Sequence, residues 1–424
     1  MKTIAEINRK IKDGNVTVLT AKELCDAVRS GRSVSVEDVD VVTTATRGIM
    51  SGTLAILSFP VADPGVFSRA EQVFLNGVPA NAGPCPNEYL GIVDLVVHGT
   101  AERDPGYGGG HLFHDLIRGA GIEVAVKAAG TDNETEKESE GGADAEITTT
   151  IDIDDIPFAR MLTTRSAYRN YNAFVNPGET LSTIFSVADF KGNCSEAVFG
   201  GCGEINPLEK DAGTIGVGTR ILLNGAVGYV IGEGTRSTSV RRNLSLFADM
   251  HEMDGSCISG FTTSASTDLI NSIAVPIPVL DENVLSRASR LDSEIELPVV
   301  DIRTKKEIGR TDYSQVWRSG SDPLVTFEPS LCVHCSVCNV NCPTDAFTGS
   351  EVIDDLCCNC GHCVSVCTGG AFVSDMGEIM LRGREIPVTL RHSDRMGAIK
   401  LADELKQMIE RGSFLLAEPV QRFG

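Results

Sequence analysis

The sequence has few positive charges and few aromatic residues for its length. Its 424 residues include 37 Lys plus Arg against 58 Asp plus Glu, a formal net charge of -21, and a single Trp. This deficit of basic residues argues against binding to nucleic acids or anionic membranes, because both need a positive protein surface. No apolar run reaches the roughly eighteen residues that a membrane-spanning helix needs, so we expect no such helix.

Nucleotide-binding fingerprints are also missing. Neither G-x-G-x-x-G nor G-x-x-x-x-G-K-[ST] occurs, so we expect no nicotinamide or flavin site and no nucleotide hydrolysis. The N-terminal stretch MKTIAEINRKIKDG has the pattern of a charged amphipathic helix and lacks the apolar region of a signal peptide. A cytoplasmic protein is therefore expected.

The cysteines are abundant but unevenly distributed. Nine of the fourteen lie between Cys332 and Cys367, separated mostly by two or three residues. This spacing indicates metal ligation in a reducing compartment rather than a disulfide framework. A metal-binding module is therefore predicted near the C-terminal end.

Two copies of one motif, C-x2-C-x2-C-x3-C, make up this cluster. The first copy is followed by proline and the second by threonine; they comprise Cys332, Cys335, Cys338, Cys342 and Cys357, Cys360, Cys363, Cys367. The pattern is that of a bacterial-type ferredoxin with two [4Fe–4S] clusters, in which the fourth cysteine of each motif binds the other cluster. The predicted ligand sets are Cys332, Cys335, Cys338 and Cys367 for cluster 1, and Cys357, Cys360, Cys363 and Cys342 for cluster 2.

The module leaves two interpretations open. Its clusters either transfer electrons or only stabilise a small domain, and the pairing of clusters favours electron transfer. Cys358, next to a predicted ligand, is either a small packed side chain or an alternative ligand, and packing is favoured.

Five cysteines remain outside the module. Cys202 lies in the glycine-rich FGGCGE, Cys194 eight residues before it, and Cys85 between two prolines. A thiol in an open backbone, with N–H groups pointing at it, has a lowered pKa and can act as a nucleophile or persulfide carrier. Cys25 is expected in the core, and Cys257 stays undecided with packing favoured.

Two histidines lie in YGGGHLFHD. His111 follows three glycines and is a candidate metal ligand or general acid. His114 is expected to pack or to form hydrogen bonds.

A further metal site involving Cys85, Cys194 and Cys202 is an open alternative.

Local signals predict a mixed α/β fold. Thr20 and Glu23 form a capping box before a helix, residues 39–61 predict strand, turn and strand, and Asn224-Gly225 predicts a β-hairpin turn. Residues 131–155 are strongly acidic and predict a surface loop. Ser393 is a candidate cap for a final amphipathic helix.

The predicted organisation has three parts. Residues 1–322 form a large α/β domain with glycine-rich β-hairpins. Residues 323–380 form a small α+β two-cluster ferredoxin domain, and residues 381–424 form a C-terminal extension with one helix.

Three segments of the large domain support a resemblance to a known family. The stretch TIGVGTRILLNGAVGYVIGEGT, the preceding GEINPL and the earlier FLNGVPA resemble the archaeal homocysteine biosynthesis family, the L-aspartate semialdehyde sulfurtransferases. Together with the cysteine module and IPVTLRHSDRMGAIKLADELKQMIERGSFLL, the chain is similar to methanogenesis marker protein 16, a family of methanogen metalloproteins. One difference is Ser51, where a cysteine-bearing stretch is expected.

The resemblance implies a reaction in which an aldehyde becomes a thiol. L-aspartate semialdehyde would give homocysteine, with sulfur from a reduced donor and electrons from an external donor through the two clusters. Cys202, Cys85 or Cys194 would carry sulfur, Arg220 would hold the substrate carboxylate, and Glu204 or His111 would move protons. Arg220 equally fits a salt bridge on a strand surface.

A function without a small-molecule substrate is the alternative. The fused module equally suits a redox or assembly protein that matures a methanogenesis cofactor or enzyme. A homo-oligomer also stays open.

Overall fold

Strands dominate the part of the chain that the structure describes. The computed structural model describes residues 1–83, 88–129, 145–165, 173–177, 180–182, 187–189, 195–238, 242–263, 266–301, 306–317 and 324–423. Within these ranges the mixed α/β class is confirmed, with one large sheet and few helices.

The helices are short except for the last. The α-helices are α1 Ile4–Lys12, α2 Ala21–Arg29, α3 Gly109–Ile117, α4 Pro207–Lys210, α5 Glu282–Ala288, α6 Val337–Val340, α7 His362–Val366 and α8 Arg395–Glu410. Short 3-10 turns lie at Val36–Asp38, Glu88–Leu90, Ile153–Asp155, Gly203–Ile205, Met250–Glu252, Gly255–Cys257, Asp292–Glu294, Tyr313–Gln315 and Pro329–Leu331.

Every described range of the chain contains at least one strand, from the N-terminal to the C-terminal end. They are β1 Val18–Thr20, β2 Val41–Ile49, β3 Thr53–Pro60, β4 Arg69–Leu75, β5 Val78–Ala82, β6 Ile92–His98, β7 Glu102–Asp104, β8 Tyr107–Gly108, β9 Ile122–Ala129, β10 Ala145–Ile151, β11 Phe158–Thr163, β12 Ala173–Pro177, β13 Thr180–Ser182, β14 Val187–Asp189, β15 Ser195–Phe199, β16 Gly216–Val217, β17 Arg220–Leu223, β18 Ala226–Glu233, β19 Leu244–Asp249, β20 Ser259–Thr262, β21 Thr267–Pro278, β22 Glu296–Asp301, β23 Glu307–Asp312, β24 Thr326–Phe327, β25 Phe372–Val373, β26 Glu378–Leu381, β27 Arg384–Arg391 and β28 Gln421–Arg422.

The large sheet has fourteen strands, in the order β1-β2-β21-β17-β18-β19-β11-β3-β6-β5-β4-β9-β10, with β20 paired to β21. The antiparallel pair β2 and β21 is the longest, and both strands are buried along their whole length. The last helix α8 packs on this pair. Such fully buried strands form continuous apolar and small-residue runs rather than an alternating pattern.

The residues after the cysteine module return to the large domain. Strand β27 pairs in parallel with β15, in a second sheet of order β23-β22-β12-β15-β27-β26. The apolar face of α8, including Leu401 and Leu405, is part of the main hydrophobic core. The C-terminal extension predicted from residue 381 is thus integrated into both sheets' packing.

Two predicted local signals are confirmed. The capping box before α2 forms, with the Glu23 N–H donating to Thr20 Oγ1 at 3.1 Å and the Thr20 N–H to Glu23 Oε2 at 2.7 Å. Asn224 and Gly225 both have positive φ, 51° and 84°, between the antiparallel strands β17 and β18. This is the backbone that a two-residue hairpin turn requires.

Two local predictions were wrong in detail. The cap of α8 is Asp394, whose side chain accepts from the Gly397 N–H, whereas Ser393 Oγ accepts from Gly201 N–H. Residues 131–144 of the predicted acidic loop lie outside the described residues, and residues 145–151, predicted as part of that loop, form β10 against β9.

The cysteine module contains a two-stranded sheet of its own. Strands β24 and β25 pair antiparallel, so residues 326–327 meet residues 372–373. Phe327, Phe347 and Phe372 pack together with ring centroids 4.9 to 5.0 Å apart. The module thus begins and ends at one small two-stranded sheet.

In the described ranges, no helix is long and apolar enough to cross a membrane.

Candidate active site

The Cys202 loop is locked into the protein by close contacts. Gly201 has φ of 104°, and a Cβ there would lie 2.2 Å from Tyr313 Oη. Tyr313 Oη donates to Gly200 O at 2.9 Å, and Trp317 Nε1 donates to Gly201 O at 3.1 Å. The glycines here allow the loop to pack against two aromatic side chains.

The Cys202 thiol itself is completely enclosed. It is 0% exposed, receives a hydrogen bond from Thr46 Oγ1 at 3.6 Å and donates to Arg47 O at 3.8 Å. Burial raises the pKa of Cys202 to about 11. A nucleophilic thiol was expected to have a lowered pKa, and Cys202 does not.

Glu204, in the same loop, belongs to a buried ion cluster. Arg395 Nη1 contacts Asp292 Oδ2 at 2.7 Å and Arg395 Nη2 contacts Glu204 Oε1 at 3.3 Å. Arg29 also pairs with Glu204. The backbone N–H groups of Glu204 and Asp292 each donate to the other's carboxylate, at 2.7 and 2.9 Å. The cluster connects α2, the Cys202 loop and α8.

His111 lies on α3, which packs on β20 and β21, and it is near the cysteine module. Its ring occupies the space where a Cβ on Gly260 would lie, and its Nδ1 accepts from Gly108 N–H at 3.2 Å. Burial lowers the pKa of His111, although Asp345 of the module acts to raise it. Nearby, Thr262 N–H donates to Pro343 O at 2.6 Å, joining β20 to the module.

Ser51, at the position where a cysteine was expected, is partly buried. Its hydroxyl donates to Asp268 Oδ2 at 2.7 Å. Burial raises the pKa of Asp268.

The remaining predicted site residues are not brought together. Arg220 stacks over Phe414 at 4.6 Å and its Nη1 donates to Leu415 O at 3.4 Å, so it contacts the C-terminal segment. Cys85 and Cys194 lie outside the described residues. Of the four candidates that the structure describes, only Cys202 and Glu204 share one loop, and the catalytic roles of all six stay predictions.

The two cysteine loops of the module repeat the same backbone path. In each motif, the backbone has a positive, left-handed φ at the residues two and four positions after the first cysteine. The residue three positions after the last cysteine has a left-handed φ as well. The pairs are His334 and Asn359, Ser336 and Gly361, and Asp345 and Gly370, with φ between 51° and 81°. A backbone that turns left-handed at matching positions directs matching sets of thiols into equivalent places.

The closing cysteine of each loop receives an equivalent hydrogen bond. The Ala346 N–H donates to Cys342 Sγ at 3.3 Å, and the Ala371 N–H donates to Cys367 Sγ at 3.2 Å. Burial acts to raise the pKa of Cys367, but the surrounding backbone N–H groups outweigh it and the pKa is lowered. N–H donors directed at sulfur fit a thiolate ligand.

The thiols fall into two electrostatic groups that cross between the motifs. Burial raises the pKa of Cys338, with further contributions from Cys367 and Cys335. Burial also raises the pKa of Cys363, with contributions from Cys357 and Cys342 and a weaker one from Cys338. Each closing cysteine thus acts on thiols of the other motif, and the crossed ligand sets stay a prediction.

These groups do not form a single-ion site. Among the described residues, no three His, Cys, Asp or Glu side chains are placed to hold one metal ion. In a [4Fe–4S] cluster each thiolate binds its own iron atom, so its ligands lie further apart.

The two loops differ in their surroundings. Cys335 is exposed, whereas Cys358 and Cys360 are buried in an apolar cluster with Ile49 and Phe261 of the large sheet. Burial of Cys358 there agrees with its interpretation as a packed side chain.

A cavity of about 570 Å³ lies where the second loop faces the large domain. Cys357 lines it from the module and Cys257 from the large domain. Its other walls include Arg47, Val325, Phe327, Asn359, Asp394, Met396, Gly397, Leu401 and Glu404. From the sequence Cys257 stayed undecided with packing favoured, because the residues that line this cavity are far apart along the chain.

Arg47 holds the two cysteine-bearing sides of the cavity together. Its Nη1 donates to Ser256 O at 2.7 Å, next to Cys257. Its Nη2 lies 3.4 Å from Asp355 O, two residues before Cys357. Asp394 balances the charge, with Oδ2 3.2 Å from Arg47 Nε.

Comparison with known proteins gives the family. Residues 16–416 match the model of a family described as homocysteine biosynthesis enzyme, sulfur-incorporation. An uncharacterized protein of Methanothermobacter thermautotrophicus is 44% identical over 421 residues, 97% of this chain and 94% of its own length. An L-aspartate semialdehyde sulfurtransferase of Methanocaldococcus jannaschii is 34% identical over 344 residues, 76% of this chain and 64% of its own.

A second relative with the same name comes from Methanosarcina acetivorans. It is 31% identical over 334 residues, 76% of this chain and 64% of its own length. No solved structure matches this chain. The resemblance to marker protein 16 stays a prediction. The match over residues 16–416 confirms the broader resemblance, and the chain belongs to the family of homocysteine biosynthesis enzymes that incorporate sulfur.

Proposed function

We propose that the protein is a reductive sulfurtransferase that converts an aldehyde, in the first instance L-aspartate semialdehyde, to a thiol, homocysteine. The observation that carries the proposal is the cavity bounded by Cys357 of the module and Cys257 of the large domain. A site of reduction needs to lie beside its electron source, and this cavity is lined by Cys357, a predicted cluster ligand.

The cysteine module fits two [4Fe–4S] clusters. The matching left-handed positions, the N–H···S contacts and the crossed thiol groups support Cys332, Cys335, Cys338 and Cys367 as one ligand set. They support Cys357, Cys360, Cys363 and Cys342 as the other. When bound, such clusters supply electrons one at a time.

The difference in exposure between the two loops suggests a direction for electron transfer through the module. The loop with exposed Cys335 faces solvent, where an external donor can reach it, and the loop with Cys357 faces the cavity. Electrons would enter on the first side and be used on the second.

The overall reaction balances with sulfide as the sulfur source. The aldehyde carbon gains a carbon–sulfur bond, its oxygen leaves as water, and two electrons and two protons are consumed per thiol formed. At the cavity, Arg47 forms hydrogen bonds to both walls, and the apolar side chains Val325 and Phe327 line it. Holding reactants in a fixed geometry is itself a large part of catalysis.

The test is an anaerobic assay of the reconstituted protein with sulfide, a low-potential reductant and L-aspartate semialdehyde, with homocysteine measured by mass spectrometry. We expect homocysteine to form only when all components are present. Absence of a thiol product from this and other small aldehydes would overturn the proposal.

The ligand assignment has a matched control in the adjacent pair Cys357 and Cys358. Cys357→Ser should lower the iron content by about half, because one of two clusters is lost, whereas Cys358→Ala should keep both. Equal iron content in the two variants would contradict the assignment.

A redox or assembly protein is the second candidate, and one surface favours it. Around the solvent-facing loop, Leu331, Val333 and Val340 are 49%, 60% and 81% exposed. Exposed apolar side chains grouped together mark contact surfaces for other proteins. Anaerobic affinity purification that recovers a stable protein partner, combined with no small-molecule turnover, would favour this candidate.

A further inference from the structure

We infer that Cys257 is the sulfur-accepting thiol of this family member, loaded by sulfane sulfur from an inorganic polysulfide inside the cavity. The inference rests on the proposed function and specifies the residue that carries sulfur. None of the residues selected from the sequence for this role, Cys85, Cys194 or Cys202, is required for it.

Position distinguishes Cys257 from the other described cysteines outside the module. Cys25 is fully buried, with Lys210 Nζ 3.1 Å from its sulfur, and Cys202 is enclosed by its own loop. Cys257 is 6% exposed and lines the cavity. Burial raises the pKa of Cys257 to about 11, as it does for Cys202, so access and not acidity distinguishes the two. Of these three thiols, Cys257 is the one that lines the cavity.

The backbone around Cys257 is held firmly. Its N–H donates to Asp254 O at 2.9 Å, and its carbonyl oxygen accepts from Ser272 Oγ at 2.6 Å. Ser256 N–H is capped by Asp254 Oδ1 at 2.8 Å, while Arg47 holds the Ser256 carbonyl. A thiol on so constrained a turn keeps one position relative to the opposite wall.

Arg47 places a positive charge beside Cys257. It is 5% exposed, and its Nη1 donates to the carbonyl oxygen of the neighbouring Ser256 at 2.7 Å. Burial raises the pKa of Cys257, and the charge of Arg47 acts to lower it. Asp394 Oδ2, 3.2 Å from Arg47 Nε, balances part of this charge, and the remainder attracts a polysulfide anion to this wall.

The outer part of the cavity has the opposite character. Glu351, Asp354, Asp355 and Glu404 are exposed, with Lys400 the exposed cation among the lining residues. Exposed carboxylates repel an approaching anion at low salt and are screened at about 0.1 M ionic strength. Loading by polysulfide should therefore become faster as salt is added.

The loading step balances without any outside oxidant. A polysulfide chain of n sulfurs transfers its terminal sulfur to the Cys257 thiol, giving a persulfide and a chain of n−1 sulfurs. One S–S bond of the polysulfide breaks, one S–S bond to Cys257 forms, and the thiol proton moves to the new terminal sulfur. Reduction of the persulfide sulfur to the thiol level later takes two electrons more than transfer from sulfide, from the same low-potential donor.

The test uses the full-length reconstituted protein, treated anaerobically with sodium tetrasulfide, freed of small molecules, alkylated and digested with trypsin. Cleavage after Arg242 and Arg287 gives a peptide whose sole cysteine is Cys257, and Cys194 and Cys202 fall together on another peptide ending at Lys210. We expect one added sulfur atom on the Cys257 peptide, with faster loading between about 0.01 and 0.1 M salt.

The unmodified Cys202 peptide is the internal control, and Cys257→Ala is the variant. Sulfur on Cys194 or Cys202 with none on Cys257, or homocysteine formation by Cys257→Ala at the wild-type rate, would overturn the inference. A Cys257 that loads in a protein that makes no thiol would instead reject the proposed reaction and leave Cys257 as the sulfur acceptor.

Discussion

Cys202 and Cys257 show how little a thiol's immediate sequence says about its chemistry. Both lie in short turns containing glycine, and burial raises the pKa of each to about 11. The Cys202 loop is sealed by aromatic side chains and a buried ion cluster, whereas Cys257 lines a cavity. Two thiols whose pKa burial raises to a similar extent can thus differ completely in access to a substrate.

Breaking the buried ion cluster of Glu204, Asp292 and Arg395 should have the largest effect, a loss of unfolding free energy. Arg395→Met leaves Glu204 and Asp292 buried without their shared cation, which typically costs about 3–5 kcal/mol of unfolding free energy. Anaerobic urea denaturation measures the loss. Lys400→Met, an exposed position on the same helix, is the control and should change stability by less than about 0.5 kcal/mol. Equal stability of the two variants would show that the cluster does not hold the sealed region together.

The sealed loop should tolerate no side chain at Gly201. Gly201→Ala combines a left-handed backbone with a clash at Tyr313, and we expect a loss of about 2–4 kcal/mol. Gly213→Ala isolates the backbone part, because Gly213 has φ of 88° but nothing within 4 Å of a Cβ. The control should lose about 1 kcal/mol. Thermal or urea unfolding compares the pair, and a Gly213→Ala loss as large as that of Gly201→Ala would remove the packing argument.

Alkylation of the native protein compares the two thiols directly. Cys257 should react with iodoacetamide on the order of 100-fold faster than Cys202, because Cys202 reacts only after local opening. Its rate should rise about tenfold per pH unit from pH 7 to 9, since the thiolate is the reactive form and the pKa lies near 11. Peptide mass spectrometry over time gives both rates. Similar rates at both sites would erase the distinction.

Removing the charge of Glu404, at the rim of the cavity, should have the smallest effect, a change in the alkylation rate of Cys257. The negative charge of Glu404 follows burial as a cause of the raised pKa of Cys257. Glu404→Gln should therefore lower that pKa and increase the alkylation rate of Cys257 at pH 8 by about two- to fivefold. Cys202 should not respond. A decrease at Cys257 would indicate that Glu404 assists removal of the thiol proton.

Several local features followed directly from the sequence. The capping box at Thr20 and the turn at Asn224-Gly225 were predicted correctly, because a few neighbouring residues suffice to satisfy helix N–H groups or to set two positive φ angles. The cap of α8 was misplaced by one residue, since both Ser393 and Asp394 can cap a helix. Tertiary structure decided between them by using Ser393 for the Cys202 loop.

The candidate site was less predictable. Glycine around Cys202 suggested an open backbone, but Gly201 makes room for Tyr313, and its carbonyl oxygen accepts from Trp317, both more than a hundred residues away. The extent of the C-terminal part was also hidden, because the apolar stripe of α8 does not reveal which strands it covers. Its partners β2 and β21 come from distant parts of the chain.

The sequence by itself determined the local geometry of the cysteine module and the family of the chain. Cysteine spacing is a short-range property, and each loop turns left-handed at matching positions within a few residues of its own cysteines. Only the tertiary structure decided which loop faces solvent, which faces the cavity, and which thiol lies opposite. That choice depends on Arg47, Cys257, Cys357 and Asp394 meeting at one place, and packing between distant segments brings them there.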